Sequence, residues 1–343
     1  MTLGDVSTHV GVSAEELERW EGELSCPSLG QLERLAGFYG REIDYFLKQT
    51  PAPPSGVAFR GAHGRSLMTL DRQARVTLAK FEELCRTEFE FENLLGKEQA
   101  VALPHFPGSE TPKNAAVSVR RVLDASQRPL ADSRPLLEEK GVRIFELKVS
   151  PPDAFSGFSF WHQEYGPCVL INAGDPKGRR NFTLAHELAH LVFGHGSSVC
   201  SIQTESTAPS GRQERKANVF AAELLMPETS VEADFLRRGF PTQPTPSQLS
   251  AMASKWVVSV QALGYRLEQL GLIEGGYTDK LREAEPVHFR RPRTPAWERQ
   301  RGKRFVHTSL EAYRRHMISI GKLADSLGVP IRTALQIAEQ GES

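Results

Sequence analysis

His186-Glu187-Leu188-Ala189-His190 spells His-Glu-x-x-His, a spacing that can do metal chemistry. On a helix, residues four apart lie one above the other, so both imidazoles can face one ion. Zinc takes imidazole nitrogen at about 2.0–2.1 Å, a distance two such side chains can reach together. Glu187 follows the first histidine and sits beside that face, where it could take a proton from water activated by the ion. The surrounding residues suit a helix: Phe182, Thr183, Leu184, Ala185, Leu188, Ala189, Leu191 and Val192 run to Gly194 without a breaker. The chemistry suggested is metal-assisted hydrolysis, and it needs a third ligand.

Two residues are candidates. His195 stands five positions after His190, whereas the metzincin pattern places its third histidine six positions on, with glycine at position three. Phe193 fills that glycine position, so the metzincin pattern fails. His195 is more simply a helix-end residue, where the dipole favours a cation. Glu214 heads a second helical pattern in which Ala217, Asn218, Ala221 and Leu225 share its face. A carboxylate at the head of an inward stripe is costly to bury unless something positive meets it. Zinc would meet it, since two histidines, one glutamate and a water form a known catalytic set. The plainer alternative for Glu214 is a solvated carboxylate near a helix start.

At this point the residues resemble the ImmA/IrrE metallopeptidases. The likeness covers Arg180-Asn181-Phe182-Thr183-Leu184-Ala185-His186-Glu187-Leu188-Ala189-His190-Leu191, and then Glu214-Arg215-Lys216-Ala217-Asn218-Val219-Phe220-Ala221-Ala222-Glu223-Leu224-Leu225-Met226-Pro227. It extends more weakly through Ser259-Val260-Gln261-Ala262-Leu263-Gly264-Tyr265-Arg266-Leu267 and Leu270-Gly271-Leu272-Ile273. Roughly half the chain, from about residue 115 to residue 273, is similar to that domain. The resemblance implies one catalytic zinc ion on His186, His190 and Glu214, with Glu187 as general base. It also implies a protein substrate, a helix-turn-helix repressor whose cleavage releases stress-response or mobile-element genes. The strand ending at Leu170, Ile171 and Asn172 would then be the sheet edge that pairs with an extended substrate. For the oxyanion the candidates are His162, Tyr165, His195 and Tyr265.

The elements that must position these residues follow from punctuation and periodicity. Pro and Gly crowd residues 50–64, which read as a linker. Across residues 66–95, Leu70, Ala74, Leu78, Phe81, Cys85 and Leu95 recur in three- and four-residue steps, a core-facing helical stripe. Pro104, Pro107 and Pro112 break the chain before a helix near residues 115–123. Two strands are expected, one over Val142-Arg143-Ile144-Phe145-Glu146-Leu147 and one over Cys168-Val169-Leu170-Ile171-Asn172. Helices dominate residues 181–270. The fold class is therefore α+β: an all-α N-terminal helix-turn-helix, a zincin-like domain with a small sheet, and a helical C-terminal region. The expected division is 1–49, linker 50–65, a connecting helical segment 66–110, the peptidase-like domain 111–275, and a basic linker with C-terminal helices 276–343.

Residues 3–47 resemble a Cro/repressor-type helix-turn-helix, although the helix that precedes the motif there has no counterpart before Leu3. Residues 3–10 would be the first helix, Gly11-Val12-Ser13 the turn, and residues 14–21 the recognition helix. Ser13 would cap that helix, with Glu16 three residues on. Ser13, Ala14, Glu15 and Arg19 are the positions that could meet DNA. Residues 1–50 carry four basic and nine acidic groups, however, and phosphate binding depends on cationic charge. A docking or dimerising role is equally open. An alternative function follows, a DNA-binding transcriptional regulator or the antitoxin of a toxin partner, with the zinc domain structural or sensory. Residues 320–329 share the helix-turn-helix cadence but read more simply as a packed helical hairpin.

Composition sets the remaining bounds. The 343 residues carry 42 basic and 42 acidic groups, and no run approaches the roughly 18 apolar residues of a membrane span. No membrane association and no secretory signal are expected, which places the protein in the cytoplasmic compartment. Cys26, Cys85, Cys168 and Cys200 form no CxxC pair and read as reduced, buried thiols. Residues 286–315 concentrate nine basic against two acidic groups, a solvated linker or a phosphate footprint.

Overall fold

The computed structural model describes residues 3–22, 24–39, 43–47, 70–97, 100–106, 110–195, 198–200, 209–281, 289 and 294–340. The expected linker at 50–65 and most of the basic stretch before residue 294 lie outside them. Four short helices come first: α1 (Leu3–Val10), α2 (Ala14–Glu21), α3 (Leu29–Tyr39) and α4 (Ile43–Leu47). Val6, Val10, Val12, Leu17, Leu35 and Phe38 close a small core among them. Ser13 caps α2 by accepting from the Glu16 N–H at 3.2 Å. Among the described residues, no helix is long and apolar enough to cross a membrane.

The centre of the molecule is a sheet with helices on both faces, an α+β arrangement. Helices α5 (Arg72–Leu94), α6 (Pro112–Val122) and α7 (Arg134–Glu139) precede β1 (Arg143–Leu147), β2 (Gly157–His162) and β3 (Gly166–Asn172). Then come α8 (Lys177–Val192), β4 (Ser198–Cys200) and α9 (Pro209–Leu225). The strand order is β1-β3-β2-β4, with β1 parallel to β3 and the other pairs antiparallel. Period-two alternation divides the strands between two cores. Phe145, Phe158, Phe160, Cys168 and Leu170 face α5, whose Ala74, Leu78, Phe81 and Cys85 supply the expected stripe. Ile144, Val169 and Ile171 face the opposite way, against Leu184, Ala185 and Leu188 of α8 and Phe220 of α9.

Two expectations need correction here. Two strands are expected from the sequence, and the described residues form a sheet of four. Leu170, Ile171 and Asn172 do not form an edge. Their strand β3 is flanked by β1 and β2 and buried along its whole length, so its backbone groups are already paired. Asn172 instead staples the neighbouring loop: its Oδ1 accepts from the Gly174 N–H at 2.9 Å, and its Nδ2 donates to the Pro152 carbonyl at 3.0 Å. Of the thiols, Cys85 and Cys168 are buried as expected, but Cys26 is exposed.

The chain continues through α10 (Glu228–Arg237), α11 (Pro246–Trp256), α12 (Val260–Gln269) and α13 (Tyr277–Lys280). It ends in α14 (Ala296–Arg301), α15 (Lys303–Arg314), α16 (Ile320–Leu327) and α17 (Ile331–Gln340). Helices α16 and α17 pack as a hairpin through Leu323, Leu327, Ala334 and Ala338, with Gly328 at φ 69° turning the chain between them. The end of the basic stretch is spent inside the protein. Arg301 is buried and donates to the Ser326 carbonyl at 2.7 Å. Arg304 reaches Glu88 at 2.9 Å and Glu92 at 3.3 Å, and Arg143 meets Glu92 at 2.5 Å. These pairs bind α15 to α5 and to the sheet, and removing Arg304 takes away the cation that meets the buried Glu88, while Glu92 keeps Arg143. Arg304→Gln is therefore expected to lower the unfolding free energy by about 3–5 kcal/mol, read from the urea midpoint. Arg315→Gln, which breaks a half-exposed pair with Glu311, should cost less than about 1 kcal/mol.

Candidate metal centre

Helix α8 carries His186, Glu187 and His190 on its buried length, and α9 packs along it. Ala217 and Ala221 are fully buried and small, which lets the two helices approach closely. Glu214 sits in the second turn of α9, and its carboxylate enters the space between the imidazoles. His186 Nε2 lies 3.1 Å from Glu214 Oε2, and His190 Nε2 lies 3.4 Å from Glu214 Oε1. The two Nε2 atoms are 3.0 Å apart. A tetrahedral ion about 2.0–2.1 Å from each donor would set its ligands roughly 3.3 Å apart, so these donors fit one. His186, His190 and Glu214 could hold a metal ion.

The outward nitrogens of the rings are occupied in the way that such a site requires. His186 Nδ1 lies 2.8 Å from Asn218 Oδ1, an acceptor, so Nδ1 carries the proton and Nε2 keeps its lone pair. His190 Nδ1 lies 3.1 Å from His195 Nδ1. Burial first, then the charge of Lys216, pushes His195 down to about 4, so it stays neutral and can accept from His190. His195 thus backs a ligand and does not join the set.

Glu187 is fully buried beside the cluster but belongs to none of its donor pairs. Its Oε2 accepts a hydrogen bond from Ser159 on β2 at 2.6 Å. Its Oε1 is buried with no hydrogen-bond partner among the described residues. Burial raises Glu187 to about 8, with His186 and the Ser159 hydrogen bond opposing and Glu214 adding. A cation held next to it would pull that value back down.

The far end of α9 is fixed by charge. Glu223 pairs with Arg266 of α12, which also donates to the Met226 carbonyl at 3.1 Å. Arg120 of α6 donates to the carbonyl groups of Leu224, Ser126 and Arg128. These contacts hold the helix that delivers Glu214.

Residues 137–268 match the family model described as the IrrE N-terminal-like domain, Peptidase_M78. The matched stretch contains all three candidate ligands, Glu187, Ser159 and Asn218. It supports a metallopeptidase-type domain of the IrrE kind over this part of the chain. The chain matches none of the curated proteins.

The other candidates lie elsewhere. Ser13, Ala14, Glu15 and Arg19 are exposed on or beside α2, together with Glu16 and Glu18. His162 stacks on Tyr165 at 3.6 Å, and burial pushes the Tyr165 phenol well up. Tyr265 donates from its hydroxyl to Asp279 at 2.8 Å. The sequence reading missed Ser159, because β2 was missed with it. Asn218 was seen only as a neighbour of Glu214 on the inward stripe; a polar side chain one turn beyond a candidate ligand is the signal for such a partner.

Loss of Asn218 should free the His186 ring. Asn218→Ala is expected to weaken metal affinity about 10- to 100-fold, measured by competition with a chromogenic chelator. The melting temperature of the metal-free protein should stay within a few degrees of wild type, since Asn218 is exposed.

Proposed function

We propose that the protein is a zinc-dependent metallopeptidase-type regulator that cleaves a helix-turn-helix repressor, acting in the cytoplasm on stress-response or mobile-element genes. The observation that carries this reading is a buried set of two imidazoles and a carboxylate with a second carboxylate, Glu187, beside it and outside it. A set of this kind with an open position is what zinc hydrolases use. Zinc bound there would supply a Lewis acid for the peptide carbonyl and would lower the proton affinity of water at neutral pH.

The residues of the chain divide the remaining work. His186, His190 and Glu214 would hold the ion, and Asn218 and His195 keep the two rings in the ligating tautomer. Glu187 takes the proton of the attacking water on Oε1 and returns it to the leaving nitrogen. An extended substrate would find its backbone partners on β4, the sheet edge that lies beyond β2 and Ser159.

The N-terminal helices supply the means of reaching a repressor. α1, the turn and α2 have the layout of a helix-turn-helix, which supports docking on a DNA-bound or look-alike repressor. For the alternative, a DNA-binding regulator or antitoxin, the charge is unfavourable: Glu15, Glu16 and Glu18 are exposed around Arg19, and their sign repels phosphate.

The test is Glu187→Gln. The variant should hold as much zinc as wild type and melt at the same temperature. Its proteolysis should fall about 10²- to 10⁴-fold, read as new protein N-termini in host lysate incubated with each form. Equal cleavage by wild type and variant would overturn the mechanism.

A further inference from the structure

The strand β2 packs on α8, and Gly157 and Ser159 face the helix beside Glu187, with Phe158 between them turned to the opposite core. Ser159 pairs through its backbone with Val169 of β3 on one side and with Ser198 of β4 on the other. A residue held on both sides in a sheet has little freedom, so its hydroxyl is placed by the scaffold. That hydroxyl is fully buried and lies 2.6 Å from Glu187 Oε2, within the range of a hydrogen bond to a carboxylate.

The other carboxylate oxygen behaves differently. Oε1 is buried without a hydrogen-bond partner among the described residues, a costly arrangement for a group with purely structural duties. It sits over Gly157, where an added Cβ would come 2.8 Å from Oε1 and 2.5 Å from Thr183 Cγ2. The glycine provides space rather than an unusual backbone angle, because its φ lies outside the left-handed range. One oxygen is therefore hydrogen-bonded to the sheet, and the other makes no hydrogen bond among the described residues.

We propose that Ser159 is the positioning residue for the general base, holding Glu187 by Oε2 so that Oε1 is the oxygen that takes the proton. The assignment rests on the peptidase reading above and adds to it a residue from the sheet. Ser159 acts through Glu187 and is not among the residues that could hold the metal.

Acetohydroxamate is a suitable probe, because it binds zinc and offers O–H and N–H groups to a neighbouring carboxylate. Its affinity for the zinc-loaded protein would be measured by calorimetry for wild type, Ser159→Ala, Ser159→Thr, Glu187→Gln and the Ser159→Ala/Glu187→Gln pair. Zinc content and melting temperature are recorded alongside. Ser159→Ala should keep one zinc per chain and lose affinity about tenfold, whereas in the Glu187→Gln background it should change nothing further. Ser159→Thr restores the hydroxyl and should recover most of the loss. Equal losses in both backgrounds, or none in Ser159→Ala, would overturn the assignment of Ser159 alone. Zinc-loaded wild type that ignores acetohydroxamate would overturn the peptidase reading, and the assignment with it.

Discussion

Two imidazole nitrogens and a carboxylate oxygen meet within about the span of one ion's ligand shell, inside the protein and away from water. Bringing lone pairs and a negative charge so close in a low-dielectric interior is expensive. A cation removes that cost, and without one the helices α8 and α9 have reason to separate at this point. The close packing of the two helices, made possible by Ala217 and Ala221, is therefore an arrangement that a bound cation would stabilise.

The rest of the domain braces this meeting. The sheet gives α8 a rigid floor, with Val169 and Ile171 packed under Leu184, Ala185 and Leu188. Glu223, Arg266 and Arg120 anchor the far end of α9, so that Glu214 is presented from a fixed helix. On the opposite face, α5 and α15 cover the sheet and are joined to it by Glu88, Glu92, Arg143 and Arg304. Each of those charges depends on a partner from another element, which makes the C-terminal helices part of the same folded unit as the sheet.

The parts legible from sequence were those written in local spacing. The histidines four apart, the inward stripe below Glu214, the stripe on α5 and the Ser13 cap all depend on neighbours within a turn or two. Strand order is different, because it depends on pairing between distant segments. The strand ending at Asn172 is no edge, because the unbroken apolar run Cys168-Val169-Leu170-Ile171 fits a strand covered on both faces and so points to the interior of a sheet. Ser159 stayed hidden for the same reason: nothing in Gly157-Phe158-Ser159-Phe160 names Glu187 as its partner 28 positions away. Arg304 looked like surface charge because its acids, Glu88 and Glu92, lie more than 200 residues earlier.

The central claim is that the buried carboxylate on α9 completes a metal site begun on α8. Elemental analysis of tag-free protein, comparing wild type with Glu214→Gln, tests it most directly. The account predicts about one zinc per wild-type chain and clear loss in the variant. Folded wild-type protein without metal, or a variant that keeps all of it, would contradict the account.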